Sequence, residues 1–296
     1  MLDPQTTINC NGQLIDLSRP IVMGILNVTP DSFFDGGKYE NEKATLKQVE
    51  KMILEGATII DVGGMSSRPG AKIIDEEEEL VRVLPIIEKI NHLFPNTIIS
   101  IDTVKSRVAT EAVAKGASIV NDISAGNIDE KMFAIVAKLG VPYILMHMQG
   151  IPSNMQQSPD YQDVTQVVLD FFIKKIGKLR QLGVKDILLD PGFGFGKTLE
   201  HNYQLLKKIA IFDILDLPLL VGLSRKSMIW KALNITPEEA LNGTTILNTI
   251  ALQQGAKILR VHDVKEAMQI IRLFDVGALN VQTSNEKKQN DRTIRK

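Results

Sequence analysis

The stretch IISIDTVKSRVATEAVAKGASIVND, Ile98–Asp122, contains one full repeat of the chain's organisation. Two short β-branched runs, Ile98–Ile101 and Ile119–Asn121, flank a segment, Ser106–Lys115, whose apolar residues fall at helical spacing. Gly116 stands where that helix should stop and turn back. Each strand runs out into a polar residue, Asp102 in one case and Asn121 with Asp122 in the other. Strand, helix and strand in this order make a parallel βαβ unit.

The same alternation extends in both directions. Further strands are predicted at Ile21–Leu26, Thr58–Val62, Tyr143–Met146, Ile187–Leu189, Leu219–Val221 and Ile258–Val261. Helices are predicted at Lys43–Glu55, Glu76–Leu93, Glu130–Leu139, Val164–Leu182, Asn202–Ile209, Pro237–Gln254 and Val264–Phe274. Gly56, Gly140, Gly183 and Gly255 close helices as Gly116 does, Asp75 with Glu78 reads as a capping box, and Pro237 with Glu238 and Glu239 reads as a first turn. The strand count matches the eight of an α/β (β/α)8 TIM barrel, in a chain of 296 residues where roughly 250 are typical. A doubly wound open sheet also alternates strand and helix, but no long insert marks a second domain. Gly24 is followed by Ile-Leu-Asn-Val-Thr rather than by a dinucleotide-binding glycine pattern. The reading is therefore a single barrel domain over residues 1–283 with a short N-terminal extension. SNEKKQNDRTIRK, from Ser284 onward, reads as a disordered tail, residues 284–296.

Composition narrows the function classes. At 44% hydrophobic and 23% charged residues the chain can bury a substantial core. Lys and Arg number 34 against 35 Asp and Glu, so no overall positive field exists to hold nucleic acid or an anionic membrane, and any anion site must be local. The lone Cys10 makes no intrachain disulfide, which fits a reducing compartment. The start, MLDPQTTINCNGQLIDL, lacks the basic and apolar regions of a secretory signal. Polar residues interrupt Ala240–Ala256, its longest uncharged helical stretch, too often for a membrane span. A cytoplasmic protein is expected.

Barrel enzymes build their sites at the carboxyl ends of the strands. Here those ends carry Asn27, Asp61, Asp102, Asn121 with Asp122, His147, Asp190, Ser224-Arg225-Lys226, and Arg260 with His262. Polar residues are common at any one strand-to-loop junction, but a polar residue at all eight is poorly explained that way. Asp102, Asn121 and Asp190 suit a planar heterocycle with N–H donors. Arg68, Arg225, Lys226, Arg260 and His262 suit a phosphate or diphosphate. The implied substrate has both ends, and the absence of a dense carboxylate cage fits Mg2+ held largely by phosphate oxygens and water.

PGFGFGKT, Pro191–Thr198, imitates a phosphate-binding loop but lacks its leading glycine. Its glycines are read as bringing Phe193, Phe195 and Lys197 over the pocket, where an aromatic stacks on a flat ring. The acidic run Asp75–Glu79 is assigned to the start of a helix rather than to a metal. His92, at a helix end, and His201, in a loop, are assigned to the surface, and Trp230, Met52, Met132 and Met268 to packing. No Ser-His-Asp or Cys-His pairing offers a covalent nucleophile.

These segments also resemble a known family. MGILNVTPDSFFDGG, Met23–Gly37, and DVGGMSSRPGA, Asp61–Ala71, are similar to the two signature segments of the dihydropteroate synthases. SIDT at Ser100–Thr103, NDI at Asn121–Ile123, LMHMQG at Leu145–Gly150, LDPGFGFGK at Leu189–Lys197, GLSRKSMI at Gly222–Ile229 and RVHD at Arg260–Asp263 follow in order. The resemblance runs from about Ile21 to Phe274. It implies a TIM barrel that joins para-aminobenzoate to a dihydropterin diphosphate and expels diphosphate, with Mg2+ and usually as a homodimer, for which Pro237–Phe274 offers an apolar surface.

Residue by residue, the resemblance gives the pterin ring to Asp102, Asn121, Asp190 and Lys226. The diphosphate falls to Asn27, Ser67, Arg68, Arg260 and His262, with Asn27 toward the metal. Para-aminobenzoate falls to Ser67, Arg68, Pro69, Phe195, Lys226 and Ser227, with Asp35 in the loop after the first strand. The groups expected to carry catalysis are Asp102, Asp190, Lys226, Arg260 and His262. Met65 stands where the commonest motif has Glu, and Ser67 where it has Thr; the first removes a charge expected to anchor that loop, and the second keeps the hydroxyl. Two other readings stay open. A pterin-binding methyltransferase barrel would transfer a methyl group and release no diphosphate, and a non-catalytic descendant would bind pterin without turnover.

Overall fold

The computed structural model describes residues 5–28, 38–65, 74–151, 155 and 159–277, with the backbone alone at 38–41. The tail expected over 284–296 lies outside these residues. Two short strands, β1 (Thr7–Cys10) and β2 (Gln13–Asp16), pair antiparallel. They turn through Asn11 and Gly12, both left-handed at φ 53° and 93°, as a two-residue hairpin of right-twisted strands requires.

The barrel follows as β3 (Ile21–Asn27), α1 (Lys38–Glu55), β4 (Ile59–Gly63), α2 (Glu76–Leu93), β5 (Ile98–Asp102), α3 (Ser106–Ala114), β6 (Ile119–Asp122) and α4 (Met132–Leu139). It continues with β7 (Tyr143–Met146), α5 (Val164–Gln181), β8 (Ile187–Asp190), α6 (Leu199–Lys207), β9 (Leu220–Val221), α7 (Ser227–Leu233), α8 (Leu241–Gln253), β10 (Ile258–Val261) and α9 (Val264–Asp275). All eight strands from β3 to β10 are parallel, in the order β8-β7-β6-β5-β4-β3-β10-β9. A parallel bridge between Leu189 and Leu219 joins the last edge to the first, so the sheet closes.

Each predicted strand is present within a residue or so of its expected bounds. Gly56, Gly116, Gly140, Gly183 and Gly255 all have positive φ, as their helix-stopping role demands. The helices depart from expectation where side chains override the apolar pattern. Helix α6 begins at Leu199 because Thr198 caps it, with the His201 ring accepting from the Thr198 N–H; His201 is therefore a capping residue within the helix and not a loop residue. Helix α8 begins at Leu241, not Pro237, because the Pro237 and Glu238 carbonyls face the Arg225 guanidinium at 3.2 and 2.7 Å. Asp75 caps α2 through the Glu78 N–H at 2.7 Å, but the Glu78 carboxylate pairs with Arg82 instead of completing the box. Within the acidic run, Glu79 is fully buried and paired with Lys105 at 2.7 Å.

The interior of the barrel changes character along its axis. Met23, Ile59, Ile98, Ile119, Ile144, Leu188, Leu220 and Ile258, one residue from each strand, form a single apolar cluster with Ile8, Cys10, Ile15 and Leu17. The hairpin thus plugs the amino-terminal mouth. Strand side chains alternate between faces, so the next inward positions are two residues on, and they include Asp61, Ser100, Asn121, Asp190 and Arg260. The outward positions, among them Val22, Val62, Ile101, Val120, Leu145, Leu189, Val221 and Leu259, join the helices in the main core.

Leu17 is completely buried in the plug, whereas Leu14 on the same hairpin is 70% exposed. Leu17→Ala is expected to lower the unfolding free energy by about 2–4 kcal/mol. Leu14→Ala should change it by less than about 0.5 kcal/mol. Urea unfolding followed by circular dichroism measures both.

Candidate functional site

Arg260, on β10, reaches across the barrel mouth. Its Nε donates to Asp61 Oδ2 at 2.6 Å and its Nη2 to Asp102 Oδ2 at 2.6 Å. Asn121 Nδ2 donates to the same Asp61 oxygen at 3.1 Å. One guanidinium therefore ties β10 to β4 and β5, and an amide extends the network to β6. Asp61 Oδ1 and Ser100 Oγ, both buried, have no hydrogen-bond partner among the described residues. Such groups are costly unless something satisfies them.

Electrostatics in this network pull in opposite directions. Burial pushes the Asp102 carboxyl up to about 7, against the downward pull of Arg260 and with Asp61 adding repulsion. Burial also raises Asp190, while Lys226 and the Gly192 N–H at 2.8 Å oppose it. Lys226 is brought down to about 8 by burial, with Asp190 restoring some charge. Burial works against the charge of Arg260, but Asp61 and Asp102 outweigh it and the guanidinium is held more firmly than usual.

The loop after β8 forms the next wall. Gly192 has φ +69°, and a Cβ there would lie 1.9 Å from the His147 carbonyl, so only glycine fits. Phe195 joins Met65, Val104, Ile123, Met146, Met148 and Met155 in an apolar cluster at the rim. Lys226 donates to the Phe193 carbonyl and lies 4.7 Å from the centre of the Phe195 ring. The expectation that Phe193 and Lys197 also hang over the pocket is corrected. Phe193 is fully buried in the main core, and Lys197 is turned inward to the Gly192 and Phe195 carbonyls and to His147.

The structure thus brings Asp61, Asp102, Asn121, Asp190, Phe195, Lys226 and Arg260 to one mouth. Asn27 ends β3 with an exposed side chain, and a Cβ built on Gly63 would meet both Asn27 Oδ1, at 3.8 Å, and Asp102 Oδ2, at 3.7 Å. Gly63 leaves the space between them. His262, two residues beyond Arg260, is exposed, with Nδ1 3.1 Å from Ser224 Oγ; Ser227 opens α7, partly buried. Asp35, Ser67, Arg68 and Pro69 lie outside the described residues.

Three strand-end residues do not join this site. Arg225 is removed from the expected basic cluster because both its Nε and Nη2 are bound to the Asp263 carboxylate at 2.9 Å. Asp122 accepts from Ser124, Gly126 and Tyr143, which fixes the turn after β6. His147 is buried beside Lys197, Tyr161 and Phe171. Asp61 was legible only as one polar strand end among many; its central role needs the cross-barrel geometry.

Met65 is 8% exposed and packed in the rim cluster. The segments on either side of residues 66–73 are held without it. Arg82 Nη1 donates to the Gly64 carbonyl at 2.8 Å, and Lys105 Nζ donates to the Ile74 and Asp75 carbonyls at 2.6 and 3.1 Å. No group of three or more His, Cys, Asp or Glu side chains placed to hold a metal is found among the described residues. No helix among them is long and apolar enough to cross a membrane.

The family model described as pterin binding enzyme matches residues 23–262. The chain belongs to this pterin-binding enzyme family. Its relatives include dihydropteroate synthases. That of Escherichia coli (strain K12) is 50% identical over 266 residues, 89% of this chain and 94% of that protein. The Yersinia pestis dihydropteroate synthase, solved as a sulfonamide drug complex, superposes with a TM-score of 0.86 at 45% identity, covering 92% of this chain and 99% of that one. The Xanthomonas albilineans enzyme, solved with 4-aminobenzoic acid, gives 0.85 at 38% identity, covering 92% and 98%.

Removing one partner of a buried ion pair strands the other. Arg260→Met is expected to cost about 3–5 kcal/mol of stability at pH 8. The cation that opposes burial at Asp102 is then gone, so that carboxyl is neutral over a wider pH range and the loss shrinks toward pH 5. Denaturant midpoints of both proteins across that range check the magnitude and the sign.

Proposed function

We propose that this chain is a dihydropteroate synthase. It condenses 6-hydroxymethyl-7,8-dihydropterin diphosphate with para-aminobenzoate, giving 7,8-dihydropteroate and diphosphate for folate biosynthesis. The observation that carries the reading is the single mouth where Asp102, Asn121 and Asp190 stand within reach of Arg260 and Lys226. Carboxylates and an amide suit the N–H-rich edge of a pterin, and the basic groups suit its anionic tail. Identity to enzymes of this class over most of the chain supports the same reaction.

The reaction is an alkyl transfer. The bond between the pterin methylene carbon and the diphosphate oxygen breaks, with its electron pair leaving on diphosphate. The arylamine nitrogen then bonds to that carbon and loses a proton to solvent. An electron-rich pterin carries positive charge well, so departure precedes attack. Asp102 and Asp190 stabilise the charge that develops on the ring, and Asn121 orients it. Arg260, His262 and Arg68 stabilise the leaving diphosphate. Lys226, Phe195 and Ser227 border the space for para-aminobenzoate, and the family resemblance assigns Ser67 and Pro69 to the same substrate. Anilines are nucleophilic when neutral, so no dedicated base is needed.

The donor set fits Mg2+ bound chiefly through diphosphate oxygens and water, with the Asn27 amide oxygen as the protein's contribution. When bound, the ion neutralises diphosphate charge. A cytoplasmic homodimer completes the reading; exposed Leu233, Ile246 and Leu273 on α7, α8 and α9 support an apolar contact there.

Purified protein, dihydropterin diphosphate, para-aminobenzoate and Mg2+ are expected to yield dihydropteroate and diphosphate in equal amounts; pterin binding with no coupled product would refute the reading. Asp190→Ala should lower kcat by about 10²–10³, and near-normal turnover would remove Asp190 from the mechanism. Because Asp102 is pushed up to about 7, pterin affinity should fall as the pH drops below that value and the carboxylate gains a proton. Fluorescence titration from pH 5.5 to 8.5 tests this, with Asp102→Asn expected to be flat.

A further inference from the structure

The loop 191–198 anchors Phe193 in the main core and Phe195 in the rim cluster, and the shape of the backbone between them depends on where its peptide groups find partners. The Gly192 N–H goes to Asp190 at 2.8 Å, the Gly194 N–H to Asn202 Oδ1 at 2.7 Å and the Phe195 N–H to the Gly192 carbonyl at 3.1 Å. Among the carbonyls, that of Phe193 accepts from Lys226 and that of Gly196 from Tyr161 Oη at 2.8 Å. The carbonyls of Gly192 and Phe195 both accept from Lys197, at 2.8 and 3.2 Å. The third close partner of that ammonium is His147 Nδ1 at 3.0 Å.

Burial brings Lys197 down to about 7, with Asp190 restoring part of its charge. In its charged form the ammonium has only donors, and His147 then meets it as a neutral ring accepting at Nδ1. Burial and the nearby Lys197 charge keep His147 well below its usual range, which maintains that state. Phe171 stands edge-on to the imidazole with ring centres 4.9 Å apart, fixing its orientation from the other side. Lys197 is 3% exposed, and its Nζ has four acceptors on two different loops, the fourth being the His147 carbonyl at 3.4 Å. This is not the posture of a lysine waiting for a phosphate, despite the motif that surrounds it.

We propose that Lys197 is a positioning residue for the arylamine half of the site, an inference that rests on the dihydropteroate synthase reading. Its ammonium clamps the turn Gly192–Phe195 to the end of β7. The clamp sets where the Phe195 ring projects into the rim and where the Phe193 carbonyl meets Lys226. Lys226 and Lys197 thus grip the same turn from two sides, one exposed to the pocket and one beneath it. Of the pterin groups, Asp102 and Asn121 make no hydrogen bond to Lys197, while the clamp reaches Asp190 only through the Lys197 charge and the Gly192 N–H of the clamped turn. Loss of the clamp should therefore weigh far more on the arylamine half of the site than on the pterin half.

The test compares the unaltered enzyme with Lys197→Met, reading steady-state kinetics for para-aminobenzoate and fluorescence titration with a dihydropterin. The expected result is a para-aminobenzoate KM raised at least about tenfold, with the pterin Kd and the saturated kcat within about threefold. A KM within about twofold of the unaltered enzyme overturns the proposal, as does a pterin Kd that weakens by the same factor as KM. If Lys197→Met does not fold, Lys197→Gln, which keeps one donor for the Gly192 carbonyl, is read by the same criteria. An unaltered enzyme that forms no coupled product overturns the functional reading itself, an outcome distinct from any difference between variants.

Discussion

Everything at the carboxyl-terminal mouth depends on one cation shared between two carboxylates. Arg260 Nε and Nη2 each reach a different aspartate, Asp61 and Asp102, at 2.6 Å. Without it, two acidic side chains on adjacent strands would face each other in a region where burial already works against the charge of Asp102. With it, Asp61 keeps a cation and an amide partner, and Asp102 keeps a charge available to a ligand. A lysine would not serve as well, because only the guanidinium presents separate donors in a fixed plane to two acceptors.

The scaffold makes this network possible by segregating apolar and polar layers along the barrel axis. Eight apolar side chains and four from the hairpin close the bottom, and polar inward positions follow two residues later. The same alternation that buries Ile59 and Ile258 therefore delivers Asp61 and Arg260 to the mouth. The rim cluster of Met65, Met146, Met148 and Met155 adds a soft apolar wall against which a flat ring can settle. Met65 is held there by packing, while Arg82 and Lys105 hold the neighbouring backbone.

The barrel and much of its site were legible in the sequence because both follow short-range rules. Strand residues alternate, helices end at glycines, and site residues sit just past strands, so Asp102, Asn121, Asp190 and Arg260 could be placed at one mouth. What escaped depended on contacts between distant positions. Arg225 looked equivalent to Arg260 until Asp263 was seen to occupy it. Lys197 was expected over the pocket, but acceptors on two loops hold it beneath the turn. Helix α7, only seven residues long, carries too little periodicity to announce itself. The N-terminal hairpin is different: Asn11-Gly12 between two alternating runs is a strong local turn signal, where the sequence reading gives only a short extension.

The central claim is that the cation-bridged aspartates and Asp190 form one pterin slot. The most direct measurement is a crystal structure of the protein soaked with a dihydropterin lacking the diphosphate. The account predicts the bicycle inside the mouth, its nitrogen edge hydrogen-bonded to Asp102, Asn121 and Asp190 and one face toward Arg260. A pterin bound elsewhere on the molecule, with Asp102 and Asp190 contacting only solvent, would contradict it.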